Sequence, residues 1–326
     1  MKNMKKVLGM GNALVDIMIR LEDDQLLDKL GLPKGSMQLV DAVRSQAILD
    51  KLEKYPKSYS AGGSAANTIH GLAMLGVPAG YIGVIGEDEL GGSFVKDMIN
   101  AGVEPHMIHS PQETGRAIAF VTSDSERTFA TYLGAAVELG ADHLPGFNFR
   151  KYDYLHIEGY LVQNHDLVRT AVSLAKENGL TVSLDLASYN VVEANLEFLR
   201  EIVEKYVDIV FANEEEAKAF TGKEPREALD EISRITVIAV VKTGSKGSLI
   251  KSGDEMVEIG VIHVIPIDTT GAGDLYASGF LYGQSLDLSL VKCGEIGALL
   301  AGNVIEVIGS KMGAEKWVEI RRMIAK

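Results

Sequence analysis

The seven residues Asp268-Thr269-Thr270-Gly271-Ala272-Gly273-Asp274 combine two glycines with two acids in a spacing that can do chemistry. They follow the apolar run Val261–Ile265, which reads as a strand, and open a helical pattern from Ala272 to about Gly283. Glycines at a strand-to-helix junction permit a sharp turn and leave backbone N–H groups unpaired. Those donors sit at the positive end of the helix dipole, so the turn suits an anion. An aspartate directly behind the cradle repels an anion, but it can take a proton from a nucleophile attacking one. The plainer reading is a tight turn with a solvated first-turn acid.

Four other stretches carry candidate polar groups. In Gly62-Gly63-Ser64-Ala65-Ala66-Asn67, paired glycines allow close approach of hydroxyls, and Asn67 in the first helical turn can donate and accept; loop glycines and a cap are the alternative. In Gly9-Met10-Gly11-Asn12-Ala13-Leu14-Val15-Asp16, the β-like run Ile17–Ile19 replaces the helix that a dinucleotide fingerprint requires. Asn12 and Asp16 instead suit hydrogen bonds to vicinal hydroxyls, with a plain surface acid as the alternative for Asp16. Asn213-Glu214-Glu215-Glu216 begins a helix and reads as a capping box. Lys242-Thr243-Gly244-Ser245-Lys246-Gly247 joins two strands and reads as a hairpin turn. The chain lacks Gly-x-x-x-x-Gly-Lys-Ser/Thr and the His-Arg-Asp and Asp-Phe-Gly motifs, which excludes P-loop and protein kinases.

Taken in order, these stretches resemble the signatures of the PfkB carbohydrate kinases, the ribokinase-like kinases of sugars and nucleosides. Gly11–Asp16, Leu27–Leu30, Ala61–Ser64 and Asp185-Leu186-Ala187-Ser188 are most similar to the adenosine kinase branch. The resemblance implies Asp274 as catalytic base and Gly271, Ala272 and Gly273 as the anion hole. It implies Gly62, Gly63 and Asn67 on the acceptor's hydroxyls, and Glu216 beside a magnesium ion and its waters. It assigns Asn213, Lys242, Thr243, Gly244, Gly247 and Asn303 to ATP. Phe129 and Thr131, or Tyr160, are candidates to meet a base. Monovalent-cation activation is common in this family, and the loop near Asp268 with residues 309–313 is a place for such an ion. Three functions are open: a nucleoside kinase acting on adenosine or a relative, a free-sugar kinase, and a non-catalytic binder on the same scaffold.

These residues need a scaffold that holds them together. Buried strands are expected at 6–11, 79–84, 154–157, 181–185, 209–212 and 237–242. Helices are expected at 64–75, 91–101, 166–178, 191–205, 214–221 and 288–307. The alternation predicts an α/β, doubly wound, mainly parallel sheet flanked by helices. Residues 15–20 and 36–41, with a hairpin of 116–122 and 127–133 turning at 123–126, have no place in that sheet. They predict a small β-sheet lid, assembled from about 13–42 and 106–133, on a single domain of 326 residues.

Composition bounds the rest. Hydrophobic content of 46% and charged content of 24% fit an ordinary globular chain. A net charge of −13 argues against nucleic acid and anionic membrane as partners. The single Cys293 excludes an intrachain disulfide and reads as a buried structural thiol. No histidine spacing suits zinc. Asp16 and Arg20 interrupt the N-terminal apolar run too early for a signal peptide, and no run is long enough for a membrane helix. The cytoplasm is the expected compartment, with the chain a monomer or a homodimer whose lid edges pair.

Overall fold

The computed structural model describes residues 4–122 and 126–325. Its strands are β1 (Val7–Met10), β2 (Leu14–Arg20), β3 (Met37–Leu39), β4 (Ser58–Gly62), β5 (Ala79–Gly86), β6 (Val103–Ser110) and β7 (Gly115–Val121), then β8 (Arg127–Tyr132), β9 (Tyr154–Glu158), β10 (Thr181–Asp185), β11 (Ile209–Asn213), β12 (Ile238–Lys242), β13 (Ser248–Ser252) and β14 (Glu255–Ile259). Nine of them form one sheet, ordered β14-β13-β12-β11-β10-β9-β1-β5-β6. It is parallel except at β12–β13 and β13–β14. Continuous apolar strands such as Ile209–Ala212 and Ala79–Ile85 are buried on both faces because helices cover both. The fold is therefore the expected ribokinase-like α/β architecture. The strand order reverses between β1 and β9, and a crevice opens where the crossovers diverge from such a point.

The second sheet runs β3-β8-β7-β2-β4. One face packs Ile17, Ile19, Ile118, Phe120 and Ala130 against Leu27, Leu30 and Ile48 from the Gln25–Leu30 and Ala42–Lys51 helices. Its pairing departs from the expected lid bounds at two places. Residues 103–110 pair with β5 in the large sheet, so the later segment of the small sheet starts at Gly115 rather than at the expected 106. Ser58–Gly62 joins the small sheet antiparallel to β2. Residues 123–125 of the expected hairpin turn lie outside the described residues.

Three element expectations are corrected. Val261–Ile265 is no strand: β14 already ends the sheet, and this segment is extended with Ile265 84% exposed. Ile262 instead packs against Gly302 of the Leu290–Val304 helix. That helix is shorter than the 288–307 expected, because Ser289 caps it and Ile305 leaves it to accept from the Ile267 and Asp268 amides. Residues 191–205 form two helices, Tyr189–Ala194 and Leu196–Tyr206, broken where the Asn195 amide donates back to the Val191 carbonyl at 2.9 Å. Cys293 is buried, and burial pushes its thiol up to about 11, as expected of an inert structural residue.

Candidate active site

The carboxyl ends of four adjacent strands of the large sheet carry polar side chains. Glu158 and Asp185 are register partners across β9 and β10, and Asn213 and Lys242 across β11 and β12. Glu158 spans the strand-order reversal. Its Oε1 accepts from the Asn12 backbone amide (2.9 Å) and from Asn12 Nδ2 (2.6 Å), and its Oε2 from the Ala65 amide (3.0 Å). Burial nevertheless pushes the Glu158 carboxyl up to about 7. Asn12, expected to meet ligand hydroxyls, thus has its donors on Glu158, which leaves its carbonyl oxygen for a ligand.

Asp185 Oδ2 accepts from Lys242 Nζ at 2.8 Å, with side-chain exposures of 7% and 15%. Burial opposes the charge on Lys242, but Asp185 and Glu216 outweigh it and hold its pKa above the ordinary value. Glu216 closes the expected capping box: Asn213 donates to both of its oxygens, and the Glu216 amide donates to Asn213 Oδ1. Burial and then Asp185 push the Glu216 carboxyl up. Asp185, Glu216 and Asp274 thus share a field with Lys242 as a cation. An excess of buried carboxylates suits a hydrated divalent ion, and Glu216 keeps lone pairs for its water shell.

Asp274 sits in the first turn of the Ala272–Ser285 helix. Its Oδ1 accepts from Ser64 Oγ (2.7 Å) and its Oδ2 from Asn67 Nδ2 (2.9 Å), while Ser310 Oγ donates to Asn67 Oδ1 (2.8 Å). The carboxylate is therefore aimed by two helix N-termini and a third loop. Although part of Asp274 opens to the cleft, burial pushes its pKa up to about 6, against the Asn67 and Ser64 hydrogen bonds. Gly271 caps the helix at φ 74°, and a Cβ there would stand 2.7 Å from Ser310 Cβ, so only glycine makes this turn. The cradle differs in one donor from the expected one. The Ala272 amide donates to the Thr269 carbonyl (3.3 Å), whereas the Gly271, Gly273 and Asp274 amides have no protein partner among the described residues. A Cβ on Gly273 would lie 3.2 Å from Lys242 Nζ, which sets the ammonium against this loop.

Several residues expected to meet the acceptor, Asp16, Phe129 and Thr131, are carried by the small sheet. Register aligns Asp16, Ala117, Thr131 and Leu39 in one row, and Met18, Ala119, Phe129 and Met37 in the next. Both rows lie on the face opposite the packed one, since alternate residues point to opposite sides. Phe129 and Thr131 therefore share a face with Asp16, and Met37 and Leu39 extend it with exposures of 51% and 60%. A cavity of about 210 Å3 opens beside Leu39 and Thr131, lined also by Tyr132, Leu133 and Val137. Asp16 and Asp274 are close enough to repel, and burial with that repulsion lifts Asp16 to about 7 despite Lys311. A Cβ on Gly62 would overlap the Asp16 carboxylate, and Gly63, at φ 96°, starts the Ser64–Met74 helix. Gly62→Ala is accordingly expected to displace Asp16 and raise the acceptor's KM by about tenfold or more, the loss of one or more hydrogen bonds to a charged group. Initial-rate kinetics read this directly.

The remaining expected nucleotide residues are less convergent. The Thr243 amide donates to the Gly247 carbonyl (2.8 Å), and the short helix Gly244–Lys246 fills the loop. Asn303 is buried, and its side-chain amide donates to the Leu299 carbonyl of its own helix at 2.8 Å. Tyr160 lies among Glu158, Glu216, Asp274 and Asp185, at the strand ends rather than on the small-sheet face, and burial lifts its hydroxyl to about 12.

This geometry meets a direct comparison. The model of the pfkB family of carbohydrate kinases matches residues 41–317. The chain belongs to that family. It is an ATP-dependent sugar or nucleoside kinase. A probable sugar kinase from Rhizobium etli CFN 42 superposes with a TM-score of 0.89 at 35% identity, over 98% of this chain and 99% of the other. The adenosine kinase from Sinorhizobium meliloti gives the same TM-score and identity over 98% and 100%. A nucleoside kinase from Methanocaldococcus jannaschii is 28% identical across 90% of this chain and 98% of its own length. Among the described residues, no helix of this pfkB kinase is long and apolar enough to cross a membrane.

Glu158 and Arg127 of this kinase escape motif reading, whereas Asp185 opens the Asp185-Leu186-Ala187-Ser188 motif without a role attached to it. Glu158 and Asp185 stand at the ends of buried strands, a position that by itself points to a ligand crevice in a parallel sheet. Arg127, at the start of β8, reaches from the small sheet to the loop that carries Asp268, Thr269 and Thr270. Its Nη1 and Nη2 donate to Thr270 Oγ1 (2.7 Å) and Thr269 Oγ1 (2.6 Å), and its Nε lies 3.2 Å from Asp268 Oδ1. Asp268 also accepts from Thr270 and, through Oδ2, from the Gly309 amide (2.7 Å). Both oxygens of the acid nearest the expected monovalent-cation place are therefore engaged. Arg127→Met is expected to loosen the loop and lower kcat about tenfold or more with a smaller change in the acceptor's KM, since preorganised donors act in the transition state. Steady-state kinetics separate the two effects.

Proposed function

We propose that this kinase transfers the γ-phosphoryl group of ATP to the primary hydroxyl of a ribose-containing nucleoside, adenosine or a close relative. The observation that carries this is Asp274, lifted to about 6 and held by Ser64 and Asn67, directly behind unpaired amides at a helix N-terminus. Asp274 accepts the hydroxyl proton as the oxygen bonds to the γ-phosphorus. The bond from that phosphorus to the β–γ bridging oxygen breaks, and its electron pair stays on ADP. The Gly271 and Gly273 amides meet charge on the transferring oxygens, each donor contributing on the order of 3 kcal/mol. Lys242 adds a positive charge beside them. Glu216 and Asp185 would hold a magnesium ion through its waters, and that ion would supply neutralisation of the phosphate oxygens. Asp16, Gly63, Asn67 and the Asn12 carbonyl orient the ribose.

A nucleoside is favoured over a free sugar by the apolar row of Met18, Phe129 and Met37 beside Asp16. A free pentose leaves that surface without a partner, whereas a base covers it. The adenosine kinase of Sinorhizobium meliloti supports the same choice. ADP release with adenosine, inosine, ribose and fructose tests it. Adenosine or inosine is expected to have the highest kcat/KM, and a preference for ribose or fructose overturns the nucleoside reading.

The base must be ionised to act. With its pKa lifted to about 6, Asp274 is active above that pH and is lost as pH falls through it. The acid limb of kcat/KM is therefore expected between about pH 6 and 7, where Asp274 and the ribose-holding Asp16 titrate, rather than near 4. A pH–rate profile checks this, and a flat rate down to pH 4.5 contradicts it.

A further inference from the structure

The segment after Gly309 is tied to the site at two consecutive residues. The Gly309 amide donates to Asp268 Oδ2 (2.7 Å), and Ser310 Oγ donates to Asn67 Oδ1 (2.8 Å). Lys311 comes next. Its Nζ is shut off from solvent and makes no hydrogen bond or ion pair among the described residues. An ammonium carries three donors, and burying it unbonded is costly. The charges that face it are Asp16, Asp97 and Asp274, with His70 the other titratable neighbour. Asp97 already accepts from the Ala61 amide (2.8 Å), and both oxygens of Asp274 are engaged by Ser64 and Asn67. Asp16 accepts no hydrogen bond among the described residues. An unbonded donor and an unbonded acceptor thus attract one another without pairing.

We propose that Lys311 is a substrate-binding residue that donates through Nζ to a secondary hydroxyl of the acceptor, so that Lys311 and Asp16 together read a vicinal diol. This rests on the nucleoside reading above and names which hydroxyls that site requires. A diol satisfies both groups at once: one hydroxyl donates to the Asp16 carboxylate, and its neighbour accepts from Lys311. An analogue lacking either hydroxyl leaves a buried charge unpaired, which is how polar sites reject deoxygenated substrates strongly. Burial pulls Lys311 down to about 8, although Asp16, Asp97 and Asp274 oppose it.

The test compares wild type, Lys311→Met and Asp16→Asn with adenosine, 2′-deoxyadenosine, 3′-deoxyadenosine and ribose. It uses initial rates, binding calorimetry and melting temperature. Lys311→Met is expected to raise the KM for adenosine at least tenfold with a smaller change in kcat. It should also erase most of the discrimination against one deoxy analogue and melt no lower than wild type. Wild-type discrimination retained in Lys311→Met, with adenosine still phosphorylated, overturns this inference alone. A shifted pH–rate profile with unchanged discrimination also overturns it, placing Lys311 behind Asp274 rather than on the diol. A lowered melting temperature with unchanged KM assigns the residue to the fold and overturns it too. A wild-type protein that binds neither adenosine nor ribose overturns both this inference and the reading beneath it.

Discussion

Asp274→Asn is expected to lower kcat by at least about 10²-fold and as much as 10⁴-fold, the range that general base catalysis spans. The substitution is nearly isosteric, and Ser64 can still donate to its carbonyl oxygen, so the Ala272–Ser285 helix keeps its start. The loss falls on proton acceptance in the transition state, so ATP affinity should stay within a few fold. Quench-flow or steady-state rates with a parallel nucleotide-binding measurement separate the two. A variant with near wild-type turnover would remove Asp274 from the chemistry and leave its contacts with Ser64 and Asn67 as purely structural.

Lys242→Met should be the most destabilising of the site substitutions. It leaves Asp185, with 7% of its side chain exposed, as a buried carboxylate facing Glu216 without a cation. Breaking a buried pair in this way costs roughly 3–5 kcal/mol, a large share of the roughly 5–15 kcal/mol that holds a typical domain together. The double substitution Lys242→Met with Asp185→Asn removes the stranded charge as well. It should therefore recover part of the loss, a coupling that only interacting neighbours show. Denaturant unfolding of the four proteins at one pH measures it. Single and double variants that differ by the sum of independent effects would contradict the pairing, whatever their activity.

The residues that could be read from sequence are those whose local backbone demands are unusual. Gly271 and Gly273 flanking a helix start, and Gly62-Gly63 before Asn67, announce turns that few residues make, and the structure brings Asp274, Ser64 and Asn67 into one hydrogen-bonded group. The doubly wound sheet was legible because β11 and β12 are continuous apolar runs up to their last residue and β9 and β10 alternate with helical patterns. The hidden parts depend on long-range pairing. Arg127 meets Thr270 across 143 residues, and Glu158 meets Asn12 across 146, with no local pattern that marks either contact. Ser58–Gly62 reads poorly as a strand because its first residues are exposed and it becomes one only by pairing with β2. Val261–Ile265 misled for the opposite reason: its apolar residues are extended, but a helix rather than a strand lies beside them. Lys311 gave no signal at all, since its meaning lies in the absence of a partner.

The sharpest measurement follows the phosphorus. With adenosine, ATP and magnesium, phosphorus NMR of the reaction mixture is expected to show one new phosphomonoester, coupled to the two hydrogens of the primary carbon, growing in step with ADP. A phosphomonoester on a secondary carbon would contradict the orientation imposed by Asp16 and Asp274. Inorganic phosphate released in step with ADP, with adenosine untouched, would contradict the account as a whole.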